Sequence, residues 1–184
     1  MTSTTESAEE AIERLKQGDL TLKVITLETS VKTEDDFECA KLEELVDCLL
    51  SCPNVVTHLW LNNNRLPDKI GVKVAHFVRD SATIKVVGLS HNRFGDATHL
   101  AMASVLHVNT SLERLYMHEC QASSYSRIDC AFISALRLNP RNTESSRWII
   151  HIWNQGDDLP TLKQAAESLG PVSMLEWLRH CDRT

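Results

Sequence analysis

Apolar positions along the chain follow two alternating rhythms. One set recurs at a fixed interval of 28 residues: Val56, Leu59, Leu61, Asn64 and Leu66 return as Ile84, Val87, Leu89, Asn92 and Phe94, then as Leu112, Leu115, Met117, Cys120 and Ala122. Apolar residues two apart describe a strand with one buried face, and the polar step that follows describes a turn. Behind each stretch the spacing becomes helical. Val46, Leu49 and Leu50 correspond to Val74, Phe77 and Val78, to Met102, Val105 and Leu106, and, after a two-residue insertion, to Phe132, Ala135 and Leu136. Each unit is therefore a strand plus a helix, and units stack because none buries its apolar face alone.

The two ends depart from the rhythm in the way covers should. Ser7 with Glu10 three residues on forms a capping box ahead of Ala8, Ala11, Ile12 and Leu15, so residues 1–18 are expected to be an N-terminal cap helix ending near Gly18. About four repeats are expected over residues 20–145. The first is degenerate, with Leu22, Ile25 and Leu27, Ser30 at the Asn position, an acidic insertion over Lys32 to Glu38, and a helix over about Cys39 to Ser51. Residues 146–184 are expected to hold a last strand around Ile150 and Ile152 and a helical cap. That cap comprises Leu159 to Leu169 and a short helix begun by Pro171 that includes Met174, Trp177 and Leu178. The whole chain, 1–184, then forms a single domain.

The template L-x-x-L-x-L-x-x-N/C-x-L resembles the leucine-rich repeat, and a 28-residue unit with a full helix resembles its ribonuclease-inhibitor class. So does the Asn109-Thr110-Ser111-Leu112 step between a helix and the next strand. The fold expected is α/β: a right-handed leucine-rich-repeat solenoid, or horseshoe, with a parallel concave sheet, convex helices and helical caps at both ends. Curvature follows from spacing, since parallel strands stack about 4.8 Å apart while packed helices need about 8 to 10 Å.

On each strand the residues beside the core leucines face the concave side. This row supplies the candidate partner-binding residues Glu28, His58, Trp60, Asn62, Gly88, Ser90, Arg114, Tyr116, His118, His151 and Trp153, with Val24, Thr26 and Val86 completing it. Trp60 and Tyr116 occupy equivalent points two strands apart with Gly88 between them, which predicts two aromatic walls about 10 Å apart and a gap that admits a partner's side chain. Aromatic residues and Arg carry most interface energy. Asn64, Asn92 and Cys120 are structural turn positions, facing inward to satisfy backbone groups. Three histidines, His76, His99 and His107, fall on helices and are expected to be solvated. His58, His118 and His151 lie on the concave row, where they would make binding sensitive to pH.

Composition narrows the function classes. With 184 residues, 42% of them hydrophobic, the chain can build a core without metal or disulfide. Residues 1–50 carry 13 acids and 5 bases, and the remainder 12 acids and 14 bases. No segment clusters Lys and Arg, which disfavours nucleic acid and membrane surfaces as partners. No apolar run reaches membrane-spanning length. The first residues carry neither a basic start nor an apolar stretch, so a cytoplasmic protein is expected, with the Asn109 sequon unglycosylated. Six cysteines form no Cys-x-x-Cys pair, and a metal site assembled from Cys48, Cys52, His118 and Cys120 is weighed below small buried thiols. No metal or other cofactor is expected. Neither a phosphate loop, a His-Glu-x-x-His nor a Gly-x-Ser-x-Gly motif occurs, so no enzyme is expected.

Within the ribonuclease-inhibitor class, three stretches carry a closer resemblance. They are the opening helix Glu9-Glu10-Ala11-Ile12-Glu13-Arg14-Leu15-Lys16, the segment Asn109 to Leu115, and Trp148-Ile149-Ile150-His151-Ile152-Trp153-Asn154-Gln155-Gly156. Together with the repeats they resemble the C-terminal domain of tropomodulin and leiomodin, the actin pointed-end capping family, over nearly the whole chain. The acidic insertion and the final helix over Pro171 to Cys181 depart from it. A non-enzymatic protein-binding module, monomeric, is expected, and the resemblance implies actin or another cytoskeletal protein as its partner. Two alternatives stay open: a small-GTPase regulator resembling the Ran GTPase-activating protein, and a structural subunit of a larger assembly.

Overall fold

The 28-residue rhythm becomes a stack of parallel strands. The computed structural model describes residues 3–5, 7–27, 36–123, 128, 131–132, 134–135, 138–139, 148–151 and 175–176. The elements run β1 (Ser3–Thr5), α1 (Ala8–Lys16), β2 (Leu22–Thr26), α2 (Asp36–Ser51), β3 (His58–Trp60), α3 (Asp68–Asp80), β4 (Val86–Gly88), α4 (Asp96–Val108), β5 (Arg114–Tyr116), β6 (Trp148–His151) and β7 (Leu175–Glu176). The seven strands form one sheet in sequence order, each parallel to the next. Each of α1 to α4 packs against its neighbour in sequence. No described helix is long and apolar enough to cross a membrane.

Template leucines line the core. Ile25, Leu59, Val87 and Leu115 occupy paired positions on adjacent strands, and none has any exposed surface. Against them pack Leu45, Val46, Ile70, Val74, Val78, Met102 and Leu106 from the helices. Leu50 differs from expectation. On α2 the inward stripe is Leu42, Leu45, Val46 and Leu49, which leaves Leu50 beside it and 42% exposed. Helical backbone recurs at Ile128, Phe132 and Ala135, all buried, as the fourth unit requires.

The ends bring corrections. Ser7 caps α1 by accepting from the Glu10 amide, but a strand, β1, precedes that helix and pairs with β2. Polar Ser3-Thr4-Thr5 carries no apolar alternation, so its strand follows from the open edge of β2 rather than from patterning. α2 begins at Asp36, three residues before the expected start, drawing part of the acidic insertion into the helix. Acids in a first helical turn are favoured by the helix dipole. At the far end Leu175 and Glu176 are strand residues paired with Trp148 and Ile149, where a helix was expected over 171–178. A parallel strand satisfies backbone groups that the edge of β6 would otherwise present. The expected helix over 159–169 lies outside the described residues.

His99 corrects a second expectation. Its side chain on α4 has no exposed surface, and Nδ1 donates to the Gly95 carbonyl at 2.8 Å. Burial pushes the imidazole below its ordinary pKa, against the Gly95 and Met117 backbone groups that pull it up. Because the folded value is the lower one, stability is present in full above the unfolded value near 6.5 and is lost as pH falls from there through the folded value. Urea midpoints of the wild type should drop between pH 7.5 and 5.5 more than those of His99→Gln. The difference approaches about 1.4 kcal/mol per pH unit at its steepest. Identical pH profiles would refute a neutral, buried His99.

Candidate functional site

Strand register places the sheet's outer residues in cross-strand rows. Thr26, Trp60, Gly88 and Tyr116 form one and Val24, His58, Val86 and Arg114 the row beside it, with the backbones of His151 and Ile149 next in register. A third runs through Asn62, Ser90 and His118: the Ser90 amide donates to Asn62 Oδ1 at 2.9 Å, and Ser90 Oγ lies 2.9 Å from His118 Nδ1. Of the eleven candidate partner-binding residues, Glu28 and Trp153 lie outside the described residues. His151 is placed by its backbone alone, opposite Tyr116.

The expected gap between aromatic walls does not exist. Trp60 and Tyr116 stack directly, ring centroids 5.5 Å apart and planes 29° from parallel. Gly88 permits this. A Cβ there would collide with Trp60 Cε3, come within 2.8 Å of Trp60 Cζ3 and sit 3.0 Å from Asn62 Oδ1. Without that Cβ, the two rings lean together across β4 and gain an offset-stacking contact worth about 0.5 to 1.5 kcal/mol. Val86, Gly88 and Ser90 are buried beneath this surface, Ser90 to 2% exposure. The accessible part consists of half-buried His58, Trp60, Asn62, Tyr116 and His118 together with exposed Arg114.

Beyond β3, β4 and β5 the chain leaves by the same turn. Asn63, His91 and Glu119, each 28 residues apart, adopt positive φ of 59°, 57° and 54°. The neighbouring inward position carries Asn64, Asn92 or Cys120. Asn64 Nδ2 donates to the Leu27 and Asn62 carbonyls, and Asn92 Nδ2 to those of Leu61, Leu89 and Ser90. Asn92 Oδ1 accepts from the amides of Asn64 and Leu66, tying one coil to the previous one. Cys120 repeats the pattern with longer sulfur contacts, 3.6 Å to the Leu89 carbonyl and 3.7 Å to that of His118. Its burial pushes the thiol up to about 11. Among the described residues no cluster of His, Cys, Asp and Glu could hold a metal ion.

A second ladder, which periodicity alone did not single out, runs along the helix-to-strand turns. Asn109 Nδ2 donates to the Val78 and Ser81 carbonyls, and Asn139 Nδ2 to those of Leu106 and Asn109. Asn109 is 4% exposed. Arg65, His91 and Arg93, exposed in the turns after β3 and β4, also went unmarked, although Arg65 and Arg93 repeat at the same 28-residue interval. His91 meets His118 edge to face, ring centroids 5.2 Å apart.

No family model and no curated protein matches the sequence. Solved structures do. A structure described as leiomodin-1 actin-binding site 2 superposes with a TM-score of 0.65 at 16% identity, covering 90% of this chain and 88% of that one. The tropomodulin C-terminal domain of Caenorhabditis elegans superposes with a TM-score of 0.66 at 15% identity, covering 88% of this chain and 92% of that one. At such identities the likeness speaks for the fold. The chain therefore has the fold of the tropomodulin and leiomodin C-terminal domain.

Proposed function

We propose that the chain is a non-enzymatic protein-binding module that grips its partner on the outer face of the sheet, and that the partner is actin or another cytoskeletal protein. The observation that carries this reading is the Trp60–Tyr116 stack. Two large rings sit half-buried on the side of the sheet away from the core, over a glycine that makes room for them. The core needs neither ring, since the facing side is filled by Leu59, Val87 and Leu115. One similar structure is an actin-binding site of leiomodin-1, which supports actin as the first partner to try. In this reading the units continue as a right-handed solenoid whose strand side is concave, and the module works as a cytoplasmic monomer.

The test is co-sedimentation with filamentous actin and pull-down of monomeric actin, with small GTPases as a parallel arm. Truncating both rings in Trp60→Ala/Tyr116→Ala should weaken actin binding by about 2 kcal/mol or more, the scale of an interface hot spot. The thermal midpoint should move far less. Equal loss of binding and stability would make the rings part of the core, and capture of a GTPase instead of actin would replace the partner.

A further inference from the structure

The outer strand face and the turns leaving it differ in charge from the rest of the chain. Residues 58–66, 86–94 and 114–122 together hold Arg65, Arg93, Arg114 and three histidines against one acid, Glu119, in a chain whose net charge is −6. Three acids of α2 are instead turned to lysines of the helices on either side of it. Glu44 pairs with Lys16 at 2.8 Å, Glu43 with Lys69 at 2.7 Å and Lys73 at 2.9 Å, and Asp47 with Lys73 at 2.6 Å. Positive groups thus bracket the aromatic pair: Arg114 lies in the row on one side of it, and Arg65 and Arg93 in the turns beyond the other.

We propose that this face receives an acidic, extended segment of a protein partner, with the Trp60–Tyr116 stack as its apolar platform and the arginines as its charge contacts. The proposal rests on the reading of the strand face as the partner surface and adds the chemistry of what binds there. Charge complementarity of this kind steers encounter and selects partners. Guanidinium groups suit the carboxylates of such a segment because their fork matches carboxylate geometry. Nucleic acid fits less well: the rings are stacked on each other, leaving no slot for a base, and three arginines are few for phosphate neutralisation.

The probe is a fluorescein-labelled dodecapeptide with Glu at alternate positions around a central Phe, followed by fluorescence anisotropy on the full chain. Saturable binding should weaken about tenfold between about 0.05 and about 0.3 M salt, and about tenfold in Arg65→Glu/Arg114→Glu. The same peptide with Gln for Glu should not bind. Both substituted arginines are exposed, and an unchanged thermal midpoint would verify folding. No binding of the acidic peptide, or binding indifferent to the two reversals, overturns the proposal, as does tighter binding of single-stranded DNA of matching length. Running the actin assay on both double variants separates the two readings. Actin binding lost in Trp60→Ala/Tyr116→Ala but retained in Arg65→Glu/Arg114→Glu sinks the acidic segment and leaves the strand-face module standing. Actin binding retained in both sinks the strand face.

Discussion

Replacing Asn92 with Ala should lower the free energy of unfolding by about 4 kcal/mol, because the amides of Asn64 and Leu66 and the carbonyl of Leu61 lose their partner inside the core. Water cannot replace the lost amide, since Asn92 is 4% exposed and its neighbours Leu61, Leu66 and Leu89 are fully buried. For a chain of this size the change corresponds to a fall of about 10 °C in thermal midpoint. The third turn supplies an internal comparison. Cys120→Ala removes only long sulfur contacts and should cost about 1 kcal/mol. Denaturant titration of both variants decides the matter: if Asn92→Ala proves no worse than Cys120→Ala, the ladder of side-chain amides is not what ties the coils together.

A second large effect is expected at Gly71, and it runs against helix propensity. Gly71 lies within α3, where Ala would ordinarily stabilise an exposed helix by about 1 kcal/mol. Here a Cβ would overlap Oγ1 and Cγ2 of Thr98 and lie 2.8 Å from Phe94 Cδ1. Neither neighbour can step aside at little cost. Phe94 is fully buried, and Thr98 is held by Asp68, whose Oδ1 accepts from the Thr98 hydroxyl and amide and from the Gly95 amide. Asp68 thereby caps α4 from the neighbouring coil, in place of a side-chain cap that Gly95 cannot provide. Gly71→Ala should therefore destabilise by about 3 kcal/mol through overpacking and the strained cap. A thermal midpoint at or above the wild type would show that α3 and α4 are not packed this closely.

The repeat made the architecture legible from residues alone. Leu59, Val87 and Leu115 were aligned by a spacing of 28, and the strands pair in that register, because a one-residue slip would turn every one of them away from the helices. The inward turn positions Asn64 and Asn92 were legible too, since an Asn within an apolar template needs backbone partners. Trp60, Gly88 and Tyr116 were likewise assigned to one outer row, and register puts them there.

What the row does was not legible. Sequence sets strand spacing but not how far two rings reach across the strand between them, so the gap predicted over Gly88 is filled by the rings themselves. The same holds for β1, whose segment carries no apolar pattern, and for β7, whose apolar residues Met174, Trp177 and Leu178 read as helical; each is a strand that pairs with a neighbouring edge. His99 looked like any polar residue on a helix until α4 packed it inward. Periodic contacts between neighbouring coils are written in the sequence because each repeat makes them again. Contacts made once, at an end or across a glycine, depend on distances that only the assembled sheet determines.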